Sequence, residues 1–174
     1  TFLRGYTGAE VLDLCTGSGA IAISVARLQP GLRVAATDMS SDALSVASEN
    51  AHLNGVYVRF MQGDLFEPVA GERFDAILCN PPYLTADDMG HLQTEVACEP
   101  RMALFGGEDG LMFYRRLAHE VYRHLKPGGY ALFEVGDGQA AEGLRLMSEN
   151  AMCAASGTVK DLPGVERVVW IRSR

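Results

Sequence analysis

The chain has no apolar run of membrane-spanning length and no amino-terminal stretch with the make-up of a signal peptide, so a cytoplasmic protein is the simplest expectation. Basic residues are in the minority. Fifteen Lys and Arg stand against 22 Asp and Glu, giving a formal charge of −7 and a pI near 5.0. A broad electrostatic footprint for a polyanion is missing, and nucleic acid starts as a disfavoured partner. Cys15, Cys79, Cys98 and Cys153 are scattered without a C-x-x-C pair, which argues against a disulfide framework or zinc site and for reduced core or pocket thiols. The histidines make no metal-ligand spacing, since His119 and His124 do not share a helix face, and no metal is expected. Internal repeats, low-complexity stretches and linkers are also lacking. What remains is 174 residues, 48% of them hydrophobic, enough for one globular domain with a substantial core.

Along the chain, strand and helix signals take turns. Strands are expected at Glu10–Leu14, Arg33–Thr37, Tyr57–Met61, Phe74–Cys79 and Tyr130–Val135. Helices are expected at Ala20–Leu28, from Ser40 or Ser41 to about Leu53, over Leu111–Leu125 and over Gln139–Glu149. Lys126-Pro-Gly-Gly reads as a turn. Two final strands, around Cys153–Lys160 and Arg167–Ile171, flank Leu162-Pro-Gly and predict an antiparallel hairpin. The alternation predicts an α/β fold: a Rossmann-like, doubly wound, mostly parallel sheet of seven strands, ending in that hairpin.

The strand Phe74–Cys79 is followed by Asn80-Pro81-Pro82-Tyr83, whose two prolines remove two N–H donors and end the strand. A polar amide is thereby held at the carboxyl edge of the sheet, where open α/β sheets place their ligand crevice. Such a corner suits methyl transfer to a planar –NH2 group. The Asn80 side-chain oxygen and the Pro81 carbonyl can each accept one N–H, Tyr83 can stack on the flat group, and no strong base is required. A plain strand-ending turn with a structural aromatic is the alternative.

The first strand-to-helix turn, Asp13-Leu-Cys-Thr-Gly-Ser-Gly-Ala-Ile-Ala, matches G-x-G-x-x-A at Gly17, Gly19 and Ala22, with Asp38 at the end of the second strand. The pattern points to a nucleoside-containing cofactor, whose ribose hydroxyls Asp38 can hold. Asp13 puts a carboxylate where a dinucleotide carries its pyrophosphate, so the charge favours S-adenosylmethionine, which presents an ammonium there. Gly63-Asp64-Leu65-Phe66 fits an adenine clamp, with Asp64 accepting from the amino group and Leu65 or Phe66 on the ring; an ordinary surface turn fits as well.

Taken in order, Asp-Leu-x-Thr-Gly-Ser-Gly, the acidic strand end, Gly-Asp-Leu-Phe and Asn-Pro-Pro-Tyr resemble class I S-adenosylmethionine-dependent amino-methyltransferases. The block Glu99-Pro-Arg-Met-Ala-Leu-Phe-Gly-Gly-Glu-Asp-Gly-Leu-Met-Phe-Tyr-Arg-Arg-Leu117 is more specific and resembles HemK-like, release-factor-specific protein-(glutamine-N5) methyltransferases, as do Asp161-Leu-Pro-Gly and Arg167-Val-Val. The resemblance covers about residues 9–172. It implies methylation of the glutamine amide in the Gly-Gly-Gln motif of peptide-chain release factors. The resemblance implies cofactor roles for Gly17, Gly19, Asp38 and Leu65 and substrate roles for Asn80, Pro81, Pro82 and Tyr83, and Asp13, Thr16, Ser18, Asp64 and Asn80 complete the expected cofactor contacts. Cys15 stands where a glycine is frequent in that family. The family's N-terminal helical domain and lead-in helix are expected to be absent from residues 1–174, which implies a cofactor site more open to water.

Residues 84–110 show little periodicity, a length more often found in binding segments than in spacers. Asp87 and Asp88 are expected to open a short helix, Glu99 and Arg101 to pair, and Gly106, Gly107 and Gly110 to shape the loop or let it close on a peptide. Two other functions stay open: an amino-methyltransferase acting on adenine or guanine in nucleic acid, which predicts a basic groove, and a non-catalytic cofactor-binding module.

Overall fold

The structure is a computed structural model that describes residues 7–174 apart from 93 and 95. Residues 1–6, the front of the expected single domain, lie outside the described residues. Seven strands form one sheet in the order β3-β2-β1-β4-β5-β7-β6. Strands β1 (Glu10–Leu14), β2 (Arg33–Asp38), β3 (Arg59–Gln62), β4 (Phe74–Cys79) and β5 (Leu125–Glu134) pair parallel with one another. β7 (Glu166–Ser173) runs antiparallel between β5 and β6 (Cys153–Lys160), closing the sheet with the expected hairpin. Strand order reverses between β1 and β4, so the carboxyl ends of these two central strands open a crevice.

The central strands are apolar on both faces because helices cover both. On one face Leu12, Leu14, Ile77, Cys79 and Phe133 pack with Tyr114, Leu117 and Val121 of α4 (Met112–His124) and Met147 of α5 (Ala140–Ser148). On the other, Val11, Val34, Ala36 and Ala76 meet Ala22 and Ile23 of α1 (Ala20–Leu28) and Ala51 of α2 (Ser41–Leu53). Buried hydroxyls on the first face are satisfied: Tyr114 donates to the Glu134 carbonyl at 2.6 Å and Tyr122 to the Met147 carbonyl at 2.7 Å. Ser40 caps α2 by accepting from Ala43 N.

Three boundaries differ from the sequence expectation by two residues or more. β3 starts at Arg59 because Tyr57 stays in the connection after α2, 85% exposed. β5 begins at Leu125, so Lys126-Pro-Gly-Gly is a bulge within the strand and not a turn before it; Phe74 opposes Leu125 while Ala76 already opposes Tyr130. Lys126 anchors the bulge, its ammonium 2.8 Å from both Glu10 and Asp75. β7 runs on to Ser173 because it pairs on both sides.

Ile77 is fully buried at the centre of β4. Ile77→Ala is expected to lower stability by about 2–5 kcal/mol with an unchanged denaturant slope, read by equilibrium urea unfolding.

Candidate active site

The chain leaves β1 through a strained turn. Cys15 has φ 55° and Gly17 φ 55°, both left-handed, and Gly19 at φ 83° forms the N-cap of α1. A side chain at Gly19 would place Cβ 2.9 Å from Ile23 Cδ1 and 3.0 Å from Ala47 Cβ, so glycine there is a packing requirement. The turn is tied to the end of β2: Thr16 N donates to the Thr37 carbonyl at 3.1 Å, and Gly17 N donates to Asp38 Oδ2 at 2.8 Å. The other Asp38 oxygen accepts from Ser40 N at 2.9 Å, which fixes the carboxylate at the mouth of the crevice. Ser18 is exposed and its carbonyl accepts from Asn50 Nδ2 at 3.0 Å.

Asp13 lies beneath this turn, fully buried. Its Oδ2 accepts from the Thr16 hydroxyl at 2.6 Å and from Ala22 N at 3.1 Å, so the Thr16 side chain serves the turn. Its Oδ1 is buried with no hydrogen-bond partner among the described residues. Burial raises the Asp13 pKa to about 7, against the lowering effect of those two hydrogen bonds and with a further upward push from the Asp38 charge. An orphaned, buried acceptor beside a second carboxylate fits a cationic ligand group and disfavours a pyrophosphate.

The turn after β3 is tied to the same end of β2, with Gly63 N donating to the Asp38 carbonyl at 3.0 Å. Leu65 is buried in a left-handed conformation, φ 48°, with its carbonyl accepting from the Thr37 hydroxyl at 3.1 Å. Asp64 is partly exposed and pairs with Arg116 of α4 at 2.6 Å, a partner that nothing in the local sequence announces. Arg116 in turn lies 5.8 Å from the centre of the Phe113 ring.

Across the crevice, β4 ends at Cys79 and releases Asn80 to Tyr83. Asn80 is exposed, and its amide has no hydrogen-bond partner among the described residues. Pro81 and Pro82 are buried behind it and Tyr83 is half-buried against the main core. Burial pushes the Tyr83 hydroxyl pKa up, with a smaller upward push from Glu134. The β4–β5 register sets Cys79 against Phe133, so Glu134 follows beside Asn80. Its carboxyl pKa is raised by burial and pulled back by the charge of Arg167.

Two stretches after the corner, at Leu84 and at Leu104 to Gly110, form a buttress. Leu84 N donates to the Leu104 carbonyl at 2.9 Å and Gly106 N to the Leu84 carbonyl at 2.8 Å, so the chain returns alongside Tyr83 through α3 (Arg101–Leu104). A Cβ at Gly106 would sit 2.7 Å from both the Pro82 oxygen and Tyr83 Cα, and one at Gly110 would sit 2.3 Å from the Tyr83 oxygen. These glycines are therefore demanded by close approach. Asp87 and Asp88 do open a short helical turn, Asp88–Gly90, with Asp88 Oδ2 accepting from both the N–H and the hydroxyl of Thr85. Glu99 and Arg101 form no ion pair with each other; Arg101 instead lies 5.0 Å over the Phe105 ring. No group of three His, Cys, Asp or Glu that could hold a metal occurs among the described residues, and the four cysteines are free thiols. No described helix is long and apolar enough to cross a membrane.

Residues 2–108 match the family model described as the methyltransferase small domain. A release factor glutamine methyltransferase from Geobacter sulfurreducens is 42% identical over 167 residues, covering 95% of this chain and 58% of the relative. One from Gloeobacter violaceus is 42% identical over 178 residues, covering 98% of this chain and 62% of the relative. The chain thus spans about 60% of the length of these curated relatives. Among solved structures, a methyltransferase from Pyrococcus furiosus superposes with a TM-score of 0.70 at 22% identity, covering 98% of this chain and 79% of that one, a likeness of fold. Matched by that family model over residues 2–108, more than half of its length, the chain belongs to the methyltransferase small domain family.

Proposed function

We propose that this domain transfers a methyl group from S-adenosylmethionine to the side-chain amide of the glutamine in the Gly-Gly-Gln motif of peptide-chain release factors, in the cytoplasm. The observation that carries the reading is the unpartnered Asn80 amide, held on a braced strand end next to the strand that carries an orphaned buried carboxylate. The substrate follows from the 42% identity to relatives named for that activity.

S-adenosylmethionine supplies an electrophilic methyl on a sulfonium centre. In this reading Asp13 Oδ1 faces its ammonium, Asp38 holds its ribose, and the turn Thr16-Gly17-Ser18-Gly19 lets backbone approach it. Leu65 lies against the adenine ring, and the Asp64 oxygen not engaged by Arg116 accepts from the adenine amino group. A glutamine amide is a weak nucleophile because its lone pair is delocalised. The Asn80 side-chain oxygen and the Pro81 carbonyl each accept one of its N–H bonds, which orients the nitrogen, while Pro82 fixes the turn and the Tyr83 ring stacks on the amide plane. As the N–C bond forms the C–S bond would break, S-adenosylhomocysteine leaving with both electrons and the nitrogen giving up one proton past its carbonyl acceptor to water. Positioning and fixed dipoles thus supply the rate enhancement without a strong base. The acidic balance of the chain favours a protein over a nucleic-acid substrate.

The direct test is transfer of labelled methyl to a purified release factor, with its Gly-Gly-Gln glutamine changed to alanine as control and mixed DNA and RNA in parallel. Label is expected on the unaltered factor alone; label on nucleic acid would replace this reading with the base-modifying one. Asn80→Ala is expected to lower turnover by on the order of 10²–10³ while leaving cofactor affinity largely intact. Asp38→Ala should act mainly on cofactor affinity, and titration calorimetry of both variants checks the division.

Asp13 adds a pH signature. Its folded pKa, about 7, lies above the unfolded carboxylate value, so the stability this group contributes is present at low pH and is lost as pH rises through about 7. An ammonium on Oδ1 favours the ionised form, so cofactor binding should release a proton, and affinity should rise with pH up to about 7. Calorimetry in buffers of different ionisation enthalpy reads that proton. Asp13→Asn should abolish the release and flatten the dependence.

A further inference from the structure

Gln139 stands at the N-cap of α5, a position that favours Ser, Thr, Asp or Asn, and its side chain makes no capping bond to the helix. The amide is used elsewhere. Oε1 accepts from Gly136 N at 3.0 Å, and Nε2 donates to the Tyr83 carbonyl at 2.9 Å. The two bonds fix the amide orientation, since only oxygen accepts from an N–H and only nitrogen donates to a carbonyl. A residue 56 positions away in sequence thereby clamps the last residue of the Asn80–Tyr83 corner to the turn that follows β5.

Three glycines make room for this clamp. A Cβ at Gly110 would lie 2.3 Å from both Gln139 Nε2 and the Tyr83 oxygen, so the buttress passes directly over the bond. A Cβ at Gly136 would lie 2.9 Å from Gln139 Oε1 and 3.0 Å from Tyr83 Cδ2, so the ring rests on bare backbone. Gly106 approaches Tyr83 Cα from the third side. Backbone packed over a hydrogen bond keeps water from competing for it. The corner needs such help, because Pro81 and Pro82 have no N–H with which to hold it.

We propose that Gln139 is a positioning residue for methyl transfer: through the Tyr83 carbonyl it fixes the angle at which Asn80, Pro81 and the Tyr83 ring meet the substrate amide. The inference rests on the reading of Asn80–Tyr83 as the substrate corner. Gln139 touches neither reacting atom, so its effect belongs to turnover and not to binding.

Two variants of the full chain separate this role from a purely structural one. Gln139→Met keeps the volume and removes both bonds. Gln139→Glu keeps the acceptor for Gly136 N, and hence the turn, but presents an anion to the Tyr83 carbonyl in place of a donor. Both are expected to lower turnover on the release factor at least tenfold, with KM for the factor and Kd for S-adenosylmethionine within about twofold of the unaltered protein. In ¹⁵N spectra taken with cofactor alone, the Asn80 side-chain amide and Tyr83 backbone signals should shift in both variants, while those of α1 and α2 stay in place. Unaltered turnover in Gln139→Glu would show that only the turn matters and would overturn the proposal; so would equal losses of cofactor affinity and turnover. If the unaltered protein methylates no release factor, the proposed function fails by itself, and the spectra still decide the clamp: unmoved Asn80 and Tyr83 signals in Gln139→Met would overturn it.

Discussion

Leu14 and Cys79 lie opposite each other at the ends of neighbouring parallel strands, and because β1 and β4 both stop there, two turns with different tasks leave the sheet side by side. One is the glycine turn over Asp13; the other is the proline-fixed corner at Asn80. Parallel pairing sets this adjacency with no freedom to slide, since a one-residue slip would exchange the faces of Leu12, Leu14, Ile77 and Cys79, which pack on α4, with those of Val11 and Ala76, which pack on α1. The distance between a nucleoside-binding turn and an amide-binding corner is thus a property of the hydrophobic core. The further registers, Thr37 against Leu14 and Phe133 against Cys79, bring Asp38 and Glu134 to the same edge.

Several locally unfavourable features gather at that edge. Cys15 and Leu65 hold left-handed backbone that glycine would adopt freely, at a cost on the order of 1–3 kcal/mol each, and Asp13 keeps an oxygen buried without a partner. Leu65 cannot relax, because Thr37 holds its carbonyl and its side chain is locked in the core. Cys15 is held between the fully buried Leu14 and Thr16, whose N–H and hydroxyl are both engaged. Clustered strain of this kind, set against a well-packed sheet, marks a site shaped for something other than stability.

Much of this could be read from the residues. The alternation of elements and the Leu162-Pro-Gly turn give the sheet and its hairpin, because segments of strand and helix character follow one another and Asn80-Pro81-Pro82 and Leu162-Pro-Gly mark where β4 and β6 stop. Asp13, Gly17, Gly19 and Asp38 converge as expected because they occupy fixed offsets from strand ends. What stayed hidden depends on long-range contact. Lys126-Pro-Gly-Gly has the local composition of a turn, and only its ammonium between Glu10 and Asp75 shows why the strand runs through it as a bulge. The Asp64–Arg116 pair and the Gln139–Tyr83 bond each join residues more than fifty positions apart, and no periodicity or local spacing encodes such a meeting. The one local sign at Gln139 is negative: a poor capping residue at a cap.

The block from Glu99 to Leu117, the most distinctive stretch of the sequence, owes its glycines to geometry and not to chemistry. Gly106 and Gly110 come so close to Pro82 and Tyr83 that any side chain would displace the corner, so their constraint is inherited from Asn80–Tyr83. A corner built from two prolines is rigid in φ but poor in donors, and its orientation must be imposed from outside. Leu84 pairing with Phe105, the glycines behind Tyr83 and the amide of Gln139 impose it from two separate segments of the chain. The stretch thus reads as aperiodic because the residues that meet the corner, Leu84, Phe105, Gly106 and Gly110, are matched to a turn elsewhere in the fold and not to a helix or strand of their own.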